Sequence, residues 1–211
     1  MSKGRLEAFS DGVIAIAVTL LVLDVHVPSP GSPGGLAHAL AQEWPNYASY
    51  ATSFLTIGII WINHHGALAR VRYVDHAVLL LNLILLMFIG LLPFTTALMA
   101  RYLRASSGEN LAAAVYAGSF LAMGLAFLAL QRHVLRRRVG LLYPHITPEA
   151  REAMYRRSRA GLLPYVIAAA LAPVSPYVTL AICAAVAVYY ALPGGMPAQE
   201  GEPIEAGSAL P

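Results

Sequence analysis

The chain carries little charge: 12% of its 211 residues are Asp, Glu, Lys or Arg, and lysine occurs once, at Lys3. With 58% of the residues hydrophobic, that excludes an ordinary soluble domain, in which charged residues make up about a quarter of the chain. Cysteine also occurs once, which excludes an intrachain disulfide and leaves Cys183, inside an apolar run, as a small packing residue. There is no G-x-S-x-G elbow, no H-E-x-x-H helix and no phosphate-cradling glycine loop, so the side-chain sets of hydrolases and nucleotide enzymes are missing and no enzyme is expected. A T-V-G-Y-G-like loop is missing as well; if ions cross, a filter of backbone carbonyls does not select them. The formal charge of +3 does not indicate nucleic-acid binding, because the basic residues lie between apolar runs, where membrane orientation explains them.

What is present is a polytopic membrane pattern. A spanning helix needs roughly 20 apolar residues, and four runs supply them, at about 6 to 25, 46 to 69, 76 to 100 and 110 to 131. The first is not a cleaved signal peptide, since Glu7 and Asp11 spoil a basic leader and no A-x-A-like site follows Val25. Residues 161 to 192 are interrupted by Pro173 and Pro176. Thr147, Pro148 and Glu149 combine a capping hydroxyl, a first-turn proline and an early acid, so a fifth helix is expected from 148 to Ala172 and a sixth from Tyr177 to Leu192. A re-entrant hairpin is the alternative. Ala114, Gly118 and Ala122 form a small-residue ladder that permits close helix approach.

Twelve of the fourteen basic residues fall at the amino end or in the second-to-third and fourth-to-fifth connections, and only Arg101 and Arg104 lie on the other side. The positive-inside rule puts both termini in the cytoplasm, which requires an even number of spans. The Pro-, Gly- and Ser-rich stretch from Pro28 to Gly35 reads as an irregular extracellular loop. Residues 1 to 192 then form the membrane domain, and 193 to 211, with Glu200, Glu202 and Glu205, a disordered cytoplasmic tail. Thirteen arginines to one lysine fit a GC-rich prokaryotic genome.

On a wheel of 100° per residue, Phe9, Gly12, Val13, Leu20 and Leu23 lie within about 60° of Ile16, with Thr19 and Asp24 at the flanks and Asp11 about 140° away. The topology brings Ser10, Asp11, Asn63, His64, His65, His76 and Asn82 to one depth, with Arg5 near the interface. A structural hydrogen-bond network, a proton relay and a metal site are all open to such a set. His64 and His65 point about 100° apart, which disfavours joint ligation of one ion.

The run R-x-x-x-F-S-D-G, formed by Arg5, Phe9, Ser10, Asp11 and Gly12 and leading into V-I-A-I-A-V-T-L-L-V-L-D, resembles the signature first helix of the endosomal and lysosomal potassium-leak channels, the transmembrane protein 175 family. Trp61, Asn63, His64, His65 and Asn82 are weaker echoes further on. The resemblance implies an all-α membrane protein with six transmembrane helices per chain, a homotetramer around a central pore lined by the first helix, in the cell membrane of a prokaryote. It implies passive permeation of K+ through a hydrophobic constriction of Ile16, Leu20 and Leu23, with Thr19 beside it and Asp24 at the pore mouth. Arg5, Phe9, Ser10, Asp11, Asn63, His64, His65, His76 and Asn82 are expected to build a structural polar network. The partners implied are the chain itself, the bilayer and potassium ions, with no cofactor and no metal. A secondary transporter or proton pathway running through the Asp/His cluster is the alternative.

Overall fold

The structure, a computed structural model, describes residues 2–105 and 107–192. Among these, eight α-helices follow one another: α1 Lys3–Leu20, α2 Gly35–Gln42, α3 Trp44–Ala69, α4 His76–Tyr102, α5 Glu109–Arg132, α6 Pro148–Ala160, α7 Leu163–Leu171 and α8 Pro176–Ala191. A 3-10 turn, Leu21–Asp24, prolongs α1, and a π turn, His133–Arg137, prolongs α5. The carboxylate of Asp75 accepts the Val78 N–H at 2.8 Å and starts α4, while Thr147 and Ser175, each followed by a proline, start α6 and α8 in the same way.

Among the described residues, three helical stretches are long and apolar enough to cross a bilayer: Lys3–Asp24, His76–Tyr102 and Glu109–Arg137. α3 has the length but carries Ser49, Thr52, Ser53, Thr56, Asn63 and His64, all but Asn63 of them buried against neighbouring helices. The fifth run differs from the single helix expected over 148 to 172. It breaks at Gly161 and Leu162, because Pro164 in the first turn of α7 has no N–H to continue the ladder of α6. The loop expected to be irregular from Pro28 to Gly35 leads directly into α2, a helix the sequence reading did not include. The expected tail from residue 193 onward lies outside the described residues.

Among the described residues α1 packs chiefly on α3 and α4 and so forms one edge of the bundle; α5 covers the far side of α4, and α7 and α8 close the opposite edge. Leu6, Ser10, Ile14 and Ala17 are the buried side of α1, and Leu21 continues it into the 3-10 turn. The ladder of Ala114, Gly118 and Ala122 is only half-buried, and a methyl group on Gly118 would meet nothing within 4 Å. The close approach is instead at Gly124, where a Cβ would lie 2.5 Å from Leu162 Cδ2. The two ends of the bundle are distinct. At one, the Lys3 ammonium donates to Ala69 O at 3.3 Å, and the α3–α4 connection bridges to the segment after α5 through Arg72 N–H to Leu141 O at 2.7 Å. At the other, Arg101 stands 3.9 Å from Asp24 and Arg104 donates to Gln42 Oε1 at 2.6 Å. The arginine-rich connections therefore share one end, as their sequence positions required.

Candidate functional site

The packed side of α1 places Leu6, Ser10, Ile14, Ala17 and Leu21 about 80° to 160° around the helix from Ile16. The side bearing Ile16 is left uncovered by the protomer. Phe9 is 48% exposed, Ile16 61%, Leu20 42% and Leu23 71%. Arg5, Gly12 and Thr19 are exposed on the same side. Arg5 thus stands at the end of the bare face and has no carboxylate partner among the described residues.

The Thr19 hydroxyl donates back to its own helix, 3.0 Å from Ala15 O and 2.9 Å from Ile16 O, so its proton is committed while its lone pairs remain outward. Asp24 faces Arg101 across 3.9 Å, and the backbone carbonyl of Asp24 contacts the His26 ring at 2.8 Å. Part of the charge expected at the outer mouth is therefore balanced within the protomer.

The polar residues separate into a buried chain and outlying members. Ser10 Oγ donates to Leu6 O at 2.8 Å, Asn82 Nδ2 donates to Ser10 Oγ at 2.9 Å, and His64 Nε2 donates to Asn82 Oδ1 at 2.7 Å. All three side chains are buried, and they tie α1, α4 and α3 together. Asp11 is not in this chain; it accepts from Trp61 Nε1 at 2.8 Å on the half-exposed side of α1 and α3. Asn63 donates to Ile59 O of its own helix, His65 lies beside the Trp61 ring, and His76 is exposed at the start of α4. Arg5 and Phe9 lie on the bare face instead.

A second polar set was not foreseen. Ser53 Oγ contacts Thr96 Oγ1 at 2.7 Å and Tyr116 Oη at 3.0 Å, and Thr95 Oγ1 contacts Ser119 Oγ at 3.0 Å, which links α3, α4 and α5 in the other half of the bundle. The signal available was the clustering of Thr52, Ser53, Thr56, Thr95 and Thr96 inside apolar helices. At the arginine-rich end, burial works to raise the Asp75 carboxyl, but the Val78 N–H, His133 at 3.0 Å and Arg138 at 3.9 Å outweigh it and hold the group below the usual carboxylate range.

A sequence family described as "Endosomal/lysosomal potassium channel TMEM175" matches residues 5–93, which hold α1, α3, most of α4 and both ends of the buried chain. A potassium channel of Streptomyces collinus is 48% identical over 189 residues, covering 89% of this chain and 91% of that protein. This chain belongs to the TMEM175 family. A crystal structure of a lysosomal potassium-selective channel TMEM175 homolog from Chamaesiphon minutus superposes with a TM-score of 0.79 at 39% identity, covering 90% of this chain and 96% of the other. The human endosomal/lysosomal proton channel TMEM175 is 33% identical over 172 residues, which are 78% of this chain and 34% of that protein. TMEM175 proteins are ion channels rather than enzymes, in keeping with the missing catalytic motifs.

Proposed function

We propose that the chain is one subunit of a homotetrameric potassium channel that conducts passively along the bare face of α1. The observation that carries this is continuity. From Arg5 to Leu23 the protomer leaves this face uncovered, over about 27 Å at 1.5 Å per residue, close to the thickness of a bilayer's hydrocarbon core. Between its ends, the exposed side of α4 is apolar, with Leu80, Leu83, Ile84, Met87, Gly90, Leu91 and Phe94, as suits lipid or another subunit. The α1 face instead mixes branched apolar side chains with Gly12, Thr19 and a terminal arginine.

Four copies about one axis turn Ile16, Leu20 and Leu23 into stacked rings. A narrow apolar ring holds back water by dewetting, and a slightly wider one passes partly dehydrated cations. Small exposed Ala8 and Ala15 on one flank let neighbouring first helices approach. Beside them, a groove of about 350 Å³ between α1 and α3, lined by Ile14, Ala15, Val18, Phe54 and Gly58, offers a seat for the adjacent subunit. The six spans are α1, α3, α4, α5, the broken pair α6 and α7, and α8. The arginine-rich end, with both termini, faces the cytoplasm of a prokaryote. The names of the Streptomyces and Chamaesiphon relatives support potassium as the ion.

A proton pathway is the second reading, favoured by the name of the human relative. The buried His64 to Ser10 chain ends on the backbone carbonyl of Leu6 and sits on the packed side of α1, away from the bare face. Purified protein in liposomes separates the two. Potassium current without co-substrate, and without matching acidification of the lumen, is the expected result; proton flux with no potassium current would replace the channel reading with the proton pathway.

A further inference from the structure

On the outer side of α4 and α5, a groove of about 290 Å³ opens toward the arginine-rich end. It is lined by Leu81, Leu125 and Leu128 on the apolar part and by Arg132, Arg137, the half-buried His133 and the buried Tyr155 on the polar part. Leu125 is seven residues before Arg132, so the apolar part reaches about 10 Å inward from the charged part along the helix. The arginines of this end fall into two classes. Arg136 is bound by Glu152 at 2.6 Å and lies over the Tyr155 ring, and Arg138 is directed to Asp75 at 3.9 Å. Arg132 and Arg137 have no carboxylate partner among the described residues, because the neighbouring acids are already engaged.

We infer that this groove is a binding site for one anionic phospholipid. The phosphate headgroup sits between Arg132 and Arg137, within reach of the Tyr155 hydroxyl, and one acyl chain lies along Leu81, Leu125 and Leu128. Charge complementarity decides the occupant. Two unpaired guanidinium groups at a membrane interface call for an anion, and an apolar slot continuous with them calls for a hydrocarbon chain, so a free phosphate fills only half of the site and a zwitterionic lipid leaves the charges unmet. The inference rests on the membrane-spanning placement of α4 and α5 and not on which ion the protein conducts.

The test is native mass spectrometry of the purified full chain in detergent with equal amounts of phosphatidylglycerol and phosphatidylcholine. Phosphatidylglycerol should be retained preferentially. The double variant Arg132→Gln/Arg137→Gln should bind it roughly thirtyfold more weakly, each interfacial arginine supplying about a fivefold preference. The control Arg156→Gln/Arg159→Gln, which removes two exposed arginines of α6, should change retention by less than about twofold. Leu125→Trp fills the slot without touching the charge and should also reduce retention. Equal losses in the two double variants would mean a diffuse basic surface and overturn the site. So would equal retention of the two lipids, undiminished binding in Leu125→Trp, or stabilisation by inorganic phosphate alone that matches phosphatidylglycerol. Melting temperatures of all variants report folding, and none of these readouts depends on ion flux.

Discussion

Replacing Asn82 by leucine keeps the volume of the side chain and deletes the middle of the buried chain on which α1, α3 and α4 meet. Asn82 is the sole link between the other two groups, donating to Ser10 Oγ and accepting from His64 Nε2. In Asn82→Leu the Ser10 hydroxyl keeps its own bond to Leu6 O, so its loss is one interhelical hydrogen bond, about 0.6 kcal/mol in a membrane protein. His64 loses the acceptor for its Nε2 proton inside a buried interface, and an orphaned buried donor costs about 1–3 kcal/mol. The expected destabilisation is about 2–3 kcal/mol, large for a volume-conserving change. His64→Leu alone orphans Asn82 Oδ1 and should cost a similar amount. The double variant leaves neither group stranded, so it should be less damaging than the sum by about 1 kcal/mol or more. Unfolding in mixed micelles titrated with dodecyl sulfate, followed by circular dichroism, measures all three. Asn82→Leu within about 0.5 kcal/mol of the parent, or strictly additive variants, would refute the reasoning that this chain holds the first helix in register.

The remaining expectations follow from other contacts. The Asp75 carboxyl is held low by the Val78 N–H, His133 and Arg138, so its contribution is present above the ordinary carboxylate range and lost as pH falls through its depressed value, below about pH 4. The unfolding midpoint of the parent should therefore drop on acidification in that window more steeply than that of Asp75→Asn. Cysteines at Ser32 and Gly108 in a Cys183→Ala background should react with an impermeant thiol reagent from outside intact cells and one at Gly140 should not; labelling at 140 would reverse the orientation. Thr19→Val removes lone pairs beside the apolar face at nearly constant shape and should lower the preference for potassium over sodium in bi-ionic recordings, whereas an unchanged ratio would limit Thr19 to the bond it makes with its own helix.

Much of this architecture was legible because a membrane leaves few options for polar and charged residues. The Lys3 and arginine positions separated the two ends before any contact was known, and the structure brings Lys3, Arg72 and the Leu141 segment together at one of them. The wheel angles of Ile16, Leu20 and Leu23 likewise grouped them on one face with Asp11 turned away, and all three are exposed together, because helical periodicity fixes that relation whatever the neighbours are. Depth alone could not sort the polar cluster. Asp11, Asn63, His65 and His76 share a level with Ser10, His64 and Asn82, yet their azimuth relative to a neighbouring helix depends on helix rotation, which a single sequence does not set. The break before α7 could be located from Pro164, but in membranes proline is compatible with a continuing helix as well as with a broken one. The Ser53, Thr96 and Tyr116 contacts needed three helices in position, and a hydroxyl in an apolar helix can always be satisfied by its own backbone, so no sequence pattern demanded them.

The central claim is that ions pass along the uncovered face of α1, and paired substitutions on that one helix address it most directly. Ile16 is in the middle of the bare face, whereas Val18, about 200° around the helix, is half-buried beside the α3 groove. Potassium and sodium flux should be recorded for Ile16→Asn and Val18→Asn, each purified, verified as assembled and reconstituted in liposomes. A polar ring retains water where a branched apolar ring expels it, so Ile16→Asn should raise cation flux and weaken discrimination between the two ions while Val18→Asn leaves both near the parent values. Equal effects of the two substitutions, or no effect of Ile16→Asn on a correctly assembled protein, would contradict a conduction path on this face.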